Sequence, residues 1–198
     1  KCDKIEKYLG FQYRCIASKG HIREIKKVAS AKDHYTPEYD IIKEKQSHVH
    51  WMKTIVSQFS KENIYLGADD DREGEGIAWH ICEVCGLDPL TTKRILFHEV
   101  TQTALQEAIK KPLLLRMNIV RAQQARQVLD RMIGFQISPI LSRLVVHDNS
   151  KFLSAGRCQT PTLRLVYDRY MDSAKKKEKL QYKIQGMFLP KPSTISAT

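Results

Sequence analysis

Residues 66–76 read "LGADDDREGEG". Five carboxylates, Asp69, Asp70, Asp71, Glu73 and Glu75, stand there around one arginine, Arg72, in a chain whose formal net charge is +11. The stretch before it, "NIYLGA" (63–68), has the length and apolar content of a short buried strand. After it, residues 72–85 space Ile77, Ile81 and Val84 as a helix does. Strand, acidic loop and helix in that order place the acids at the carboxyl end of a strand, where open α/β sheets hold ligands. Asp69 and Asp71 are two apart and share a side if the segment is extended, and Glu73 stands where the helix begins. Like charges so close repel and raise one another's pKa, which a divalent cation relieves. Mg²⁺ favours oxygen ligands, keeps several waters and bridges to phosphate. Asp69, Asp71 and Glu73 are therefore candidate ligands for Mg²⁺; a merely solvated acidic loop is the alternative.

Two other readings fail on spacing. An EF-hand loop begun at Asp69 needs a glutamate at its twelfth position, which is His80. Gly74-x-Gly76 starts like a dinucleotide fingerprint, but Trp79 takes the third glycine's place and the flanking acids would repel a pyrophosphate. Cys82 and Cys85 could share a helix face and open a zinc site, but no second pair follows at finger spacing, so core packing is the expectation.

Strands and helices alternate outward from the acidic loop. Residues 1–10 read as a helix ended by Gly10, "YRCIAS" (13–18) as a strand, 30–40 as a polar loop, "DIIKE" (40–44) as a short strand and 46–60 as a helix. "RILFHEV" (94–100) reads as a strand and 101–110 as a helix, so the fold class is α/β with a parallel sheet. After Pro112 the pattern turns helical, with Ala122, Ala125, Leu129 and Met132 as the apolar side. A new helix is predicted to start at Ser138-Pro139 and a third to cover 160–170, while 180–188 alternates like a strand.

Charge rises along the chain: net +1 over residues 1–111, +3 over 112–150 and +7 over 151–198, including Lys175-Lys176-Lys177. The back half is a plausible polyanion-binding surface. Gln123, Arg126 and Asp130 form one polar stripe, in which Arg126 and Asp130 can pair at i,i+4, as a structural salt bridge or as a phosphate clamp. Arg157 and Gln159 follow Gly156 in "SAGRCQT", as a phosphate donor set or a helix-capping turn. No apolar run approaches the roughly 20 residues that cross a bilayer. Five cysteines, an odd number, do not suggest a disulfide scaffold and weakly favour a reducing, intracellular setting.

Asp69-x-Asp71-Arg72-Glu73-Gly74-Glu75 resembles the metal-binding motif of TOPRIM domains in the form found in type IA DNA topoisomerases. "KYLG" (7–10), "GHI" (20–22), "FHEVT" (97–101), "AQQARQVLDRMIGF" (122–135) and "LSAGRCQTPTLRLV" (153–166) resemble that family in its own order. The resemblance implies a TOPRIM domain over 1–111 without its first strand, part of a mainly α-helical DNA-binding domain over 112–170, and a basic linker and strand over 171–198. It implies Mg²⁺-dependent, ATP-independent cleavage of one DNA strand through a 5′-phosphotyrosine, strand passage and religation. Catalytic roles would fall to Glu73 and Arg72, and to Lys1, which stands where the family's E-S-P-x-K lysine belongs. Single-stranded DNA contacts would fall to His21, Gln123, Arg126, Asp130, Arg157 and Gln159. The family's first-strand glutamate is absent, and none of the eight tyrosines sits in the nucleophile's usual context. A single chain is expected to act as a monomer on DNA and to lack cleavage activity on its own. The weighed alternatives are a TOPRIM primase or nuclease and a non-catalytic single-stranded DNA-binding fragment.

Overall fold

The computed structural model describes residues 2–29, 34–145, 152–175 and 182–187. The chain divides into two compact units, residues 1–155 and 156–198.

In the first unit, helix α1 (Cys2–Leu9) ends at Gly10, whose φ of +96° suits glycine. A hairpin follows, β1 (Arg23–Val28) antiparallel to β2 (Pro37–Ile41), with an irregularity in register between Ile25 and Lys27. Helix α2 (Gln46–Val56) leads to β3 (Tyr65–Gly67), the acidic loop and helix α3 (Arg72–Cys85). Strand β4 (Lys93–Ile95) returns parallel to β3, with Tyr65 opposite Lys93 and Gly67 opposite Ile95. β3-α3-β4 is thus a βαβ unit, as the alternation of patterns predicts. Helix α4 (Gln102–Lys110), capped by the Thr101 hydroxyl, packs on α1. Helix α5 (Met117–Val145) lies along α3.

The core gathers where these elements meet: Leu66 of β3, Ala78 and Cys82 of α3, then Leu87, Leu115 and Val120. Full burial of a large apolar side chain contributes about 1.5–3 kcal/mol, which fixes α5 against α3. Cys82 belongs to this core, with half-buried Cys85 against it, and burial pushes the Cys82 thiol up to about 11. The pair is packing, as spacing suggested.

Several sequence expectations need correction. Residues 13–18 are not a strand: their polar groups bond to side chains, Cys15 N–H to Glu6 Oε1 at 2.7 Å and the Ala17 carbonyl to His48 Nε2 at 2.8 Å. Part of the expected 30–40 loop is strand β2, with Pro37 at its first position, where no ladder N–H is required. β2 stops at Ile41, and Lys43–Lys45 form a 3-10 turn instead of continuing "DIIKE" as a strand. β4 is three residues long, so "RILFHEV" leaves the sheet after Ile95. α5 runs unbroken through Pro139 rather than restarting there. The described part of 180–188, residues 182–187, forms no strand, and no described strand pairs with it.

The largest correction concerns the buried face of α5. Ala122 and Ala125 are exposed and Leu129 is 47% exposed, while Val120, Gln123 and Val128 are buried. α3 presents Glu73 and Gly76 to α5, so the position facing them carries a hydrogen-bonding side chain instead of a methyl. Arg131 fixes the hairpin to α5 by donating to the Ile25 carbonyl at 2.6 Å and the Lys26 carbonyl at 3.2 Å.

Farther along α5, Ser138 and Ser142 lie four apart and hold a passing extended segment. The Ala155 N–H donates to Ser138 Oγ at 2.9 Å, and the Leu153 N–H to Ser142 Oγ at 2.9 Å. In the second unit, helix α6 (Gln159–Lys175) carries an Arg164–Asp168 pair at 2.9 Å and exposes Leu163, Leu165, Val166 and Tyr170. Among the described residues no helix is long and apolar enough to cross a membrane.

Candidate functional site

The loop between β3 and α3 and the first turn of α3 carry the acids. Asp71 is extended, with φ −140° and ψ 178°, and its Oδ1 accepts from the Gly74 N–H at 2.7 Å, which caps α3. Gly74 has no alternative residue at this corner: a Cβ there would lie 2.2 Å from the Asp69 carbonyl oxygen. Glu73 meets α5 and the segment before β1. Its Oε2 accepts from Gln123 Nε2 at 3.1 Å and lies 3.4 Å from His21 Nε2. Its Oε1 is 3.8 Å from Arg126 NH1, and Arg126 Nε is 3.7 Å from Asp130 Oδ2.

Three of the six residues expected to bind DNA, His21, Gln123 and Arg126, therefore converge on Glu73, and a fourth, Asp130, pairs with Arg126. Arg157 and Gln159 belong to the second unit, where the Gly156 N–H donates to the Thr160 hydroxyl at 3.1 Å beside them. Arg72 is exposed at the start of α3. Lys1 lies outside the described residues.

Three residues that the sequence reading did not single out hold the loop. Arg94, on β4, is fully buried, and all five of its guanidinium N–H groups are used. Nε donates to Glu75 Oε1 at 3.3 Å. NH1 donates to the carbonyls of Leu66 at 3.2 Å and Ile95 at 2.5 Å, and NH2 to those of Ala68 at 2.8 Å and Asp69 at 2.9 Å. Burial pulls this guanidinium below its ordinary pKa, against the pull of Glu75 in the other direction. Glu75 is also fully buried and accepts from the Arg116 N–H at 3.0 Å and the Arg116 guanidinium at 3.2 Å. Arg116 in turn bonds Asp70, which raises the Arg116 pKa. The signal for Glu75 was its spacing from Ala78 and Cys82 on one helix face; the signal for Arg94 was an arginine at the head of an apolar strand.

Behind Glu73 lies a second polar layer. His80 of α3 is buried with neither ring nitrogen hydrogen-bonded among the described residues. Burial, then Arg23 and His21, pulls its pKa down to about 3. The Tyr39 ring meets it edge-on at 4.5 Å, and the Tyr39 hydroxyl donates to Gln127 at 3.0 Å.

The donor set suits Mg²⁺ chemically. Every candidate ligand is a carboxylate oxygen, Asp69 and Asp71 are exposed, and the Asp71 cap leaves its second oxygen available. No three His, Cys, Asp or Glu side chains among the described residues are already gathered as a metal cluster.

Comparison with known proteins agrees with this architecture. A family model described as the Toprim domain matches residues 1–100, and one described as DNA topoisomerase matches residues 115–196. The solved structure of full-length topoisomerase I from Thermotoga maritima is 38% identical, with a TM-score of 0.75, over 89% of this chain. The present chain spans 29% of the length of that protein's chain. With a Toprim motif on a βαβ unit, a long helix completing its acidic face and both family models in sequence, the chain belongs to the type IA DNA topoisomerase family.

Proposed function

We propose that this chain supplies the Mg²⁺-binding and part of the strand-holding apparatus of a type IA DNA topoisomerase, whose full reaction is ATP-independent cleavage of one strand, strand passage and religation through a 5′-phosphotyrosine. The observation that carries the reading is the convergence of Glu73 with His21, Gln123 and Arg126 from two other parts of the chain. Asp69, Asp71 and Glu73 would hold the cation. Bound there, Mg²⁺ would offset phosphate charge and orient the scissile region.

The remaining work falls to the chain's own side chains. Arg126, aimed by Asp130 and Glu73, offers a guanidinium to a phosphate. His21 and Gln123 hold Glu73 in one orientation on the face that a strand would approach. Arg72, exposed at the head of α3, stands among the acids as a further phosphate contact. Arg157 and Gln159 would hold single-stranded DNA from the second unit.

Relaxation of negatively supercoiled plasmid by the protein that carries this chain tests the proposal. Mg²⁺-dependent, ATP-free relaxation with a trapped covalent complex on a 5′ phosphate is the expected result, abolished by Asp69→Asn with Asp71→Asn. A 3′ linkage, or cleavage without religation, would assign the chain to another Toprim chemistry.

A further inference from the structure

Asp69, Asp70 and Asp71 are chemically identical neighbours, yet the fold treats them differently. Asp71 caps α3. Asp70 is bonded by the Arg116 guanidinium. Asp69 takes part in no ion pair among the described residues; its main-chain carbonyl is the part that is held, by Arg94. The sorting group is Arg116, and Arg116 is not a loose surface partner. Its main-chain N–H donates to Glu75 Oε2 at 3.0 Å and its guanidinium to Glu75 Oε1 at 3.2 Å, and Glu75 is buried against Arg94.

From this geometry we infer that Arg116 is a positioning residue that withdraws Asp70 from the cation-binding set, leaving Asp69 and Asp71 to serve it, with the buried Arg94–Glu75 pair as the fixed base of the device. The inference rests on the Mg²⁺ reading given above. The chain bends at Asp70 and Asp71, and within that bend Arg116 holds the Asp70 carboxylate while the Asp69 and Asp71 carboxylates take part in no ion pair among the described residues. An isolated exposed ion pair would do little, since such pairs contribute about 0–1 kcal/mol. Here the guanidinium is tied to a buried carboxylate as well and cannot swing free without leaving Glu75 short of a donor. Mg²⁺ demands near-octahedral geometry. A loop offering three adjacent, equally free aspartates would present it with competing pairs, and Arg116 removes that choice.

Calorimetric titration of the protein with MgCl₂ tests the inference as a cycle of Asp70→Asn and Arg116→Gln, with Asp69→Asn as the reference. The N–H of residue 116 that holds Glu75 survives any side-chain replacement, and unchanged near-ultraviolet dichroism confirms the fold. In the native background Asp70→Asn should leave Mg²⁺ affinity within about twofold. In the Arg116→Gln background, where Asp70 is released to bind the cation, affinity should rise roughly fivefold and Asp70→Asn should abolish the gain. Arg116→Lys should restore the insensitivity to Asp70→Asn. An Asp70→Asn loss of equal size in both backgrounds overturns the inference while leaving the metal reading intact. Unchanged affinity in Asp69→Asn overturns the metal reading, and the inference with it.

Discussion

Gln123 of α5 donates to Glu73 of α3 at 3.1 Å, so a carboxylate of the acidic motif is oriented by a side chain 50 positions later. The contact requires Gly76. A Cβ at that position would lie 2.8 Å from Gln123 Cδ and 2.9 Å from its Oε1.

Gly76→Ala is therefore expected to destabilise the protein. In an open helix the change would gain about 1 kcal/mol; here overpacking against Gln123 should turn it into a loss of about 1–3 kcal/mol. Gln123→Ala in the same chain should recover part of that loss. Urea denaturation of the single and double variants measures both, and a Gly76→Ala protein as stable as the native one would contradict the packing described.

His80 gives a pH dependence with a definite sign. Its folded pKa, about 3, lies below its ordinary 6.5. As pH falls through about 6.5 the unfolded chain takes up a proton that the folded chain refuses. Stability is then lost toward pH 3, at up to about 1.4 kcal/mol per pH unit. His80→Leu should lose less stability between pH 7 and pH 5 than the native protein. Parallel losses in denaturant titrations at the two pH values would remove His80 from the account.

Single-stranded DNA binding should be dominated by phosphate contacts, with log affinity falling by about 0.7 per phosphate for each unit of log salt. Fluorescence anisotropy in EDTA should show Arg157→Ala weaker by about 1–3 kcal/mol. For the acidic loop Asp71→Asn is the cleaner substitution, because asparagine also caps helices well and leaves α3 intact. It should bind DNA without metal as well as the native protein, or more tightly. Equal losses in the two variants would mean that the carboxylate shapes the fold or the DNA contact rather than a metal site.

The 198 residues alone are expected not to relax plasmid DNA in Mg²⁺. Tyr39, the tyrosine packed on His80, is no substitute nucleophile: burial pushes its pKa up to about 12, and its hydroxyl is given to Gln127. Relaxation by a contaminant-free preparation, lost in Tyr39→Phe, would reverse that conclusion.

The strand–loop–helix core and its acids were legible because hydrophobic period and charge coincide there: β3 and α3 lie where "NIYLGA" and the Ile77–Ile81 spacing put them. The hairpin was obscured because β1 and β2 are half-exposed and charged, so their apolar alternation is weak. The buried face of α5 departs from the apolar pattern because alanines count as apolar in any pattern yet tolerate water, while Gln123 is buried by what it bonds rather than by what it is made of. Arg94 and Glu75 could not be paired from sequence, since 19 positions separate them and only the parallel return of β4 brings them together.

Arg94 has one more consequence. Four main-chain carbonyls, from Leu66, Ala68, Asp69 and Ile95, turn their oxygens onto a single guanidinium. The backbone at the ends of β3 and β4 is thus itself a cation host, in the manner of an ionophore, and its guest is tethered to β4. Because that guest holds its charge across the physiological pH range and never diffuses away, the underside of the loop keeps its shape whatever the ionic conditions above it. Lysine would carry the same charge with three donors in place of five, and would leave two of the five acceptors facing each other without a proton between them.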